Sequence, residues 1–124
     1  MSTQNNFSRS FQANAAMSRG RVVRVSANGY LDLAVVDAAA HVGVLQEDIT
    51  SSAYENANVR LWGSGTCMIA VTGVPLTAGN VMVVCANGYV SVTNGLAGNS
   101  GVKVGVLLEN AATNGELKEV AFQG

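Results

Sequence analysis

The feature that most constrains the fold of this chain is an internal repeat. Residues 20–31 (GRVVRVSANGYL) are echoed 59 positions later by residues 79–90 (GNVMVVCANGYV). Residues 42–48 (VGVLQED) are echoed 62 positions later by residues 104–110 (VGVLLEN), so the later copy carries three extra residues. Each copy reads as strand, tight turn, strand, loop, strand, which predicts a duplicated structural unit. We expect two similar halves related by an approximate two-fold axis, with Val and Leu from both halves filling one core.

Turn signals separate short apolar runs along the rest of the chain. Asn28-Gly29 and Asn87-Gly88 hold equivalent places in the two copies and predict hairpin turns, since both residue types tolerate positive φ. At Gly43 we expect a neighbouring backbone to approach closely. About nine short strands without helical periodicity are typical of an antiparallel all-β domain. The prediction is a small β-barrel or sandwich over residues 20–124, with the repeat at 20–48 and 79–110.

The first 19 residues differ from this body, because they are polar and lack a strand pattern. We predict an extended N-terminal arm over residues 1–19 that becomes ordered on a partner, with Phe7 and Phe11 as anchors. The alternative is a frayed terminus without a role. Residues 1–24 carry four arginines and no acid, whereas the remainder carries three cations and eight acids. Such a basic leader favours an acidic surface, but four dispersed arginines are too few to predict a nucleic-acid partner.

The composition limits the class of protein further. At 124 residues the chain is one domain, and only 12% of its residues are charged, against roughly 25% in an average soluble domain. A partner covering the surface, or a plain surface rich in small residues, would account for this. No secretion signal and no apolar run of membrane-spanning length is visible, so we expect synthesis in a host cytoplasm and no membrane partner. Cys67 and Cys85 lie in apolar runs and are predicted to be buried free thiols.

Residues with catalytic or metal-binding chemistry are few. His41 is the only histidine, and no metal-ligand spacing surrounds it. Glu47 and Glu109 are equivalent in the repeat, which explains them better as one structural position used twice than as an acid/base pair. Tyr30 and Tyr89, also equivalent, are each expected to lay a ring on the adjacent strand. We therefore predict no enzyme activity, no catalytic residue, no cofactor and no metal.

The later copy of the repeat also carries a family resemblance. Its sequences are LTAGNVMVV at 76–84, GYV at 88–90 and VKVGVLLENA at 102–111. In this pattern the chain resembles the small capsid decoration, or cement, proteins of tailed bacteriophages, over about residues 20–124. The resemblance implies a β-barrel or sandwich bound to the outside of an assembled icosahedral shell. It further implies the major capsid protein as partner and self-association as a homotrimer.

The expected function is therefore that of a virion structural protein on the capsid exterior, which stabilises the shell by bridging neighbouring capsid subunits. Trp62, the only tryptophan, is expected to be a core or inter-subunit anchor. The alternatives are a phage tail or baseplate component, a carbohydrate-binding adhesion module and, least favoured, a small hydrolase. The candidate contacts to the capsid or to another subunit are Phe7, Arg9, Phe11, Arg19, Arg21 and Trp62.

Overall fold

The computed structural model describes residues 8–34, 41–50, 55–63, 65–92 and 103–122. Within these residues the regular structure is ten β-strands and one short 3-10 turn, η1 (Ala86–Gly88). The strands are β1 (Ser8–Gln12), β2 (Val22–Val25), β3 (Leu31–Leu33), β4 (His41–Leu45), β5 (Asn56–Leu61), β6 (Thr66–Ala70), β7 (Val81–Val84), β8 (Val90–Val92), β9 (Lys103–Leu107) and β10 (Leu117–Phe122).

The strands form two antiparallel sheets of five strands each, packed against each other. The first sheet has the order β1-β5-β4-β2-β3, and the second has the order β6-β10-β9-β7-β8. Adding five to each strand number of the first sheet gives the second, so the two sheets have the same topology. The predicted all-β fold built from two similar halves is confirmed. We call β1–β5 the first half and β6–β10 the second half.

Each sheet also curls back on itself. Ala13, which follows β1, forms a parallel bridge with Leu31 in β3, and Val71, which follows β6, forms the same bridge with Val90 in β8. In both sheets the bridge joins the two edge strands. Exposed edges are prone to pair with other chains, and the bridges satisfy part of them within the half. Each half therefore resembles a small barrel.

The pairing of the central strands is duplicated down to its irregularities. One register shift interrupts the pairing of β2 with β4, and an equivalent shift interrupts the pairing of β7 with β9. A Cβ atom built on Gly43 would overlap the carbonyl oxygen of Arg60, and one built on Gly105 would overlap that of Ala121. The close approach expected at Gly43 is confirmed. Because no side chain fits there, the repeat keeps glycine in both copies.

The core contains two apolar clusters. The smaller cluster lies within the first half and consists of Ala13, Met17, Val23, Leu31, Leu45, Ile49, Ala57 and Val59. The larger cluster contains most of the equivalent second-half residues and also Val22, Ala34 and Val44 of the first half. The prediction of one core filled by both halves is wrong for the first half, because each sheet encloses its own apolar interior. The two halves then pack through a further set of side chains.

Equivalent glycines differ in burial, which contradicts the expected two-fold axis. Gly20 is buried, and a Cβ on it would overlap Leu117 of the second half, whereas around its equivalent, Gly79, there is open space. Gly88 is buried against the first half, whereas a Cβ on its equivalent, Gly29, would meet nothing within 4 Å. A two-fold axis would place equivalent residues in equivalent surroundings. The halves are therefore alike in fold but contact each other through two different surfaces.

The N-terminal region also differs from its prediction. No strand was expected before residue 20, but β1 pairs with β5, and Ala13 and Met17 are buried in the smaller cluster. The pattern was hidden because four of the five residues of β1 are exposed and only Phe11 is partly buried. Residues 8–19 are thus packed onto the first half. Residues 1–7, and with them Phe7 and that part of the predicted arm, lie outside the described residues.

Candidate partner-binding surface

Two of the candidate contact residues lie together on β1. Arg9 is exposed and Phe11 is partly buried, and they are two positions apart on the strand, so their side chains share one face. The guanidinium carbon of Arg9 lies 4.8 Å from the centroid of the Phe11 ring, within the range of a cation–π contact. The contact holds a positive charge over an apolar ring at the surface. Such a pair suits a partner that presents carboxylates beside apolar groups.

Arg19 lies in the turn before β2. Its backbone N–H donates a hydrogen bond of 2.8 Å to Oδ1 of Asp48, which fixes the turn on the first half. The residue is exposed and lines a cleft of about 330 Å³ that also includes Arg60 and, from the second half, Met68. The described lining of this cleft contains no acidic residue. The cleft therefore presents two arginine side chains at the boundary of the two halves.

Arg21 connects the two halves. Its guanidinium donates hydrogen bonds of 2.9 Å to the carbonyl oxygen of Asn87 and 2.8 Å to the hydroxyl of Tyr89. The guanidinium carbon also lies 4.0 Å from the centroid of the Tyr89 ring. The side chain of Tyr89 in the second half is thus in contact with an arginine of the first half. This contact is separate from the one expected between the Tyr89 ring and the adjacent strand. Because the side chain is occupied inside the chain, a role for Arg21 in binding another protein stays a prediction.

Trp62 is at the same boundary. Its ring packs edge-on against Phe122 of the second half, with centroids 5.1 Å apart, and against His41, with centroids 5.3 Å apart. The indole N–H donates to Nδ1 of His41 at 2.9 Å and, less directly, to the His41 carbonyl oxygen at 3.2 Å. Trp62 acts as an anchor within one chain, because its ring packs against the second half. A contact with another subunit stays a prediction.

His41 is held in its neutral form by these surroundings. Its Nδ1 accepts the indole hydrogen bond, so the ring carries its proton on Nε2, and Nε2 is buried without a hydrogen-bond partner among the described residues. Burial lowers the pKa of His41 below its ordinary value, because the charged form loses its hydration. A positive ring would also carry a hydrogen at Nδ1, where the indole now donates. The histidine is a structural group of the boundary between the halves.

The two equivalent glutamates have the same role. Oε2 of Glu47 accepts a hydrogen bond of 2.8 Å from the backbone N–H of Asn58, and Oε2 of Glu109 accepts one of 2.8 Å from the backbone N–H of Glu119. Each carboxylate thus fastens the loop after one strand to the next strand of its half. The interpretation of one structural position used twice is confirmed. The following residues repeat the pattern too, since Asn110 accepts from a backbone N–H as Asp48 does.

The two cysteines lie inside the domain. Cys67 and Cys85 are free and buried, as predicted, and burial raises the pKa of both thiols. Among the described residues, no three His, Cys, Asp or Glu side chains are grouped as a metal site requires. In the same residues, no helix is long and apolar enough to cross a membrane.

Sequence reasoning missed the contact between the halves, although a signal for it existed. Phe122 and Tyr89 of the second half meet Trp62 and Arg21 of the first. The repeat aligns Arg21 with Asn80, so the arginine is present in one copy only. Leu61 and Phe122 lie outside the repeated segments, and only their pairing with Gly43 and Gly105 shows that they are equivalent. Residues that differ between otherwise similar copies mark the surfaces where the copies are used differently.

A scan against protein-family models finds no family that matches this chain, and a search of curated proteins finds no significant match.

Proposed function

We propose that this protein is a virion structural protein that binds the outer surface of an assembled bacteriophage capsid, associates with itself as a trimer and stabilises the shell without catalysing a reaction. The observation that carries the proposal is the pairing of exposed Arg9 with Phe11 on β1, at the basic end of the chain. The partner would be the major capsid protein, presenting carboxylates next to apolar side chains.

The body of the domain supports the proposal through the segments that carry the resemblance. Segment 76–84 includes β7, segment 88–90 ends at the first residue of β8, and segment 102–111 includes β9. These three strands are neighbours in the second sheet, in the order β9-β7-β8. The motif therefore corresponds to one continuous piece of sheet. The second sheet would form the body of the bound domain, while β1, which lies in the first sheet, would contact the partner.

The mechanism of stabilisation is thermodynamic linkage. A protein that binds the assembled shell but not free capsid subunits shifts the equilibrium toward the shell, by RT ln(1 + [L]/Kd) for each site. At a free concentration of about 100 times Kd, the shift is roughly 2.7 kcal/mol per site. Many copies on one shell add these contributions, and a trimer raises the effective concentration of each further contact.

The test is co-sedimentation of the purified protein with empty, expanded capsids of the phage that encodes it. Arg9→Glu reverses the charge beside Phe11, and we expect its affinity for capsids to fall at least about ten-fold, since a lost charge-assisted contact costs about 1.5–3 kcal/mol. Lys103→Glu makes the same change of charge at an exposed position of the second half and serves as the matched control. Wild-type binding should weaken as salt increases.

Two outcomes would contradict the proposal. One is wild-type protein that stays in the supernatant with expanded capsids, particularly if it binds purified tails or a glycan array instead. The other is an equal loss of binding in Arg9→Glu and Lys103→Glu. That result would show that binding depends on the net charge of the protein and that β1 is not the contact surface.

A further inference from the structure

The contact between the two halves uses two surfaces, which we call face A and face B. Face A belongs to the first half and face B to the second half. Face A is formed by Gly20, Arg21, Val22, Val44, Gln46 and Trp62. Face B is formed by Ile69, Val84, Gly88, Val104 and Phe122. The two faces meet in the larger apolar cluster and through the hydrogen bonds of Arg21.

Because the halves share one fold, each half also carries the surface that the other one uses. The second half has its own version of face A, formed by Gly79, Asn80, Val81, Val106 and Leu108. The first half has its own version of face B, formed by Val25, Gly29, Val42 and Leu61. We call these the second-half face A and the first-half face B. Among the residues that the structure describes, the other half covers neither of these two faces.

At most of the equivalent positions, the residue of the used face is more buried than the residue of the unused face. Val22 and Val44 are fully buried in face A, whereas their equivalents Val81 and Val106 are partly exposed. Leu108, the equivalent of Gln46, is 45% exposed, which is unusual for a leucine.

Face B shows the same difference. Val84 and Val104 are buried, whereas their equivalents Val25 and Val42 are partly exposed and pack against the smaller cluster. Gly88 is covered by Val22, whereas around Gly29 there is open space. Both unused faces are thus apolar, and each is shaped like a surface that already has a partner in this fold.

We propose that the second-half face A of one molecule binds the first-half face B of a second copy of this chain. The contact between chains uses apolar residues equivalent to those of the contact between the two halves, with Asn80 in the place of Arg21. Such a contact is heterologous: each molecule presents one face to one neighbour and the other face to the next. Repeated contacts of this kind close into a ring when the rotation per unit divides a full turn. A ring of three chains would contain six similar units, which agrees with the trimer proposed above.

The test begins with the mass of the purified full-length chain by native mass spectrometry and light scattering. Because one chain has a mass of 12.7 kDa, the mass of a closed oligomer should be a whole-number multiple of this value. Leu108→Glu places a charge on the second-half face A, and we expect it to dissociate the oligomer. Met68→Glu is the matched control, because Met68 is 46% exposed and lies on neither face, and it should assemble as the wild type does.

A mixture of two variants tests the head-to-tail geometry. Val25→Glu disrupts the first-half face B, and it should be monomeric alone, as Leu108→Glu is. Mixed together, the two variants retain one intact pair of faces, so they should form a heterodimer and nothing larger. Far-UV circular dichroism and thermal melting check that both variants are folded. Since Leu108 is exposed, its variant keeps the test valid if Val25→Glu does not fold.

A wild-type monomer at about 100 μM, where a contact of roughly micromolar affinity would be nearly saturated, overturns the inference. An oligomer that Leu108→Glu leaves intact also overturns it, because the subunits then meet elsewhere. Neither result depends on capsids. Failure of this contact and failure of capsid binding are therefore separate findings.

Discussion

Glu47 and Glu109 give the sharpest test of the duplicated unit, because one position can be perturbed twice in one molecule. Each carboxylate accepts a 2.8 Å hydrogen bond from a backbone N–H of the next strand. A hydrogen bond to a charged group contributes about 1.5–3 kcal/mol, and solvent reduces this at an accessible site. We expect Glu47→Ala and Glu109→Ala each to lower the free energy of unfolding by about 1 kcal/mol. The glutamine variants keep an acceptor oxygen and should lose less than half of that.

The assay is urea denaturation followed by tryptophan fluorescence, since Trp62 lies between the halves. With a slope of about 2 kcal/mol/M, a loss of 1 kcal/mol moves the midpoint by roughly 0.5 M. Glu109→Ala should lose slightly more than Glu47→Ala, because Glu109 also lies 3.9 Å from the ammonium of Lys118. The double variant should show the sum of the two losses. A large loss at one glutamate with none at the other would refute the equivalence of the two positions.

Three further perturbations address the strands and the boundary between the halves. Gly43→Ala and Gly105→Ala should each destabilise the protein by more than about 2 kcal/mol, because the new methyl group overlaps a backbone carbonyl. Urea denaturation measures the loss, and a neutral effect at either site would contradict the close approach of the two strands. Arg21→Met removes two hydrogen bonds to the second half, so the free energy of unfolding should fall by about 1–2 kcal/mol and the melting temperature by several degrees. An unchanged melting temperature would show that these hydrogen bonds make no net contribution to stability. Burial lowers the pKa of His41, so the folded state binds its proton less readily than the unfolded state. The contribution of His41 to stability should therefore be constant above about pH 6.5 and should fall as the pH drops from there toward the lowered folded-state pKa. Replacing His41 by Asn should flatten this part of the profile, and an unchanged slope would assign it to other groups.

The repeat predicted much of the fold, because apolar alternation and Asn-Gly turns are local signals. β2 and β7 lie inside the repeated segments 20–31 and 79–90, each before its Asn-Gly pair, as predicted. β1 was missed because its polar residues pair through the backbone, which leaves no apolar pattern in the sequence. The register shifts between β2 and β4 were also beyond sequence reasoning, since they depend on how neighbouring strands twist.

The candidate contact residues stay a prediction, although the structure shows where each described one lies. Arg9 and Arg19 are exposed, whereas Arg21 and Trp62 make contacts between the halves. Sequence could not distinguish these cases, because an arginine or tryptophan suits an internal boundary as well as an external one. The unequal burial of equivalent residues, which led to the head-to-tail contact, is visible only once the halves are placed.

The central claim is that this protein acts by gripping the outside of a capsid. Electron cryomicroscopy of intact virions tests it most directly, by locating density into which the two-half β domain fits. The account predicts that density on the outer surface of the head, contacting more than one capsid subunit, with β1 facing the shell. Density confined to the tail or baseplate, or heads that lack the protein altogether, would contradict it.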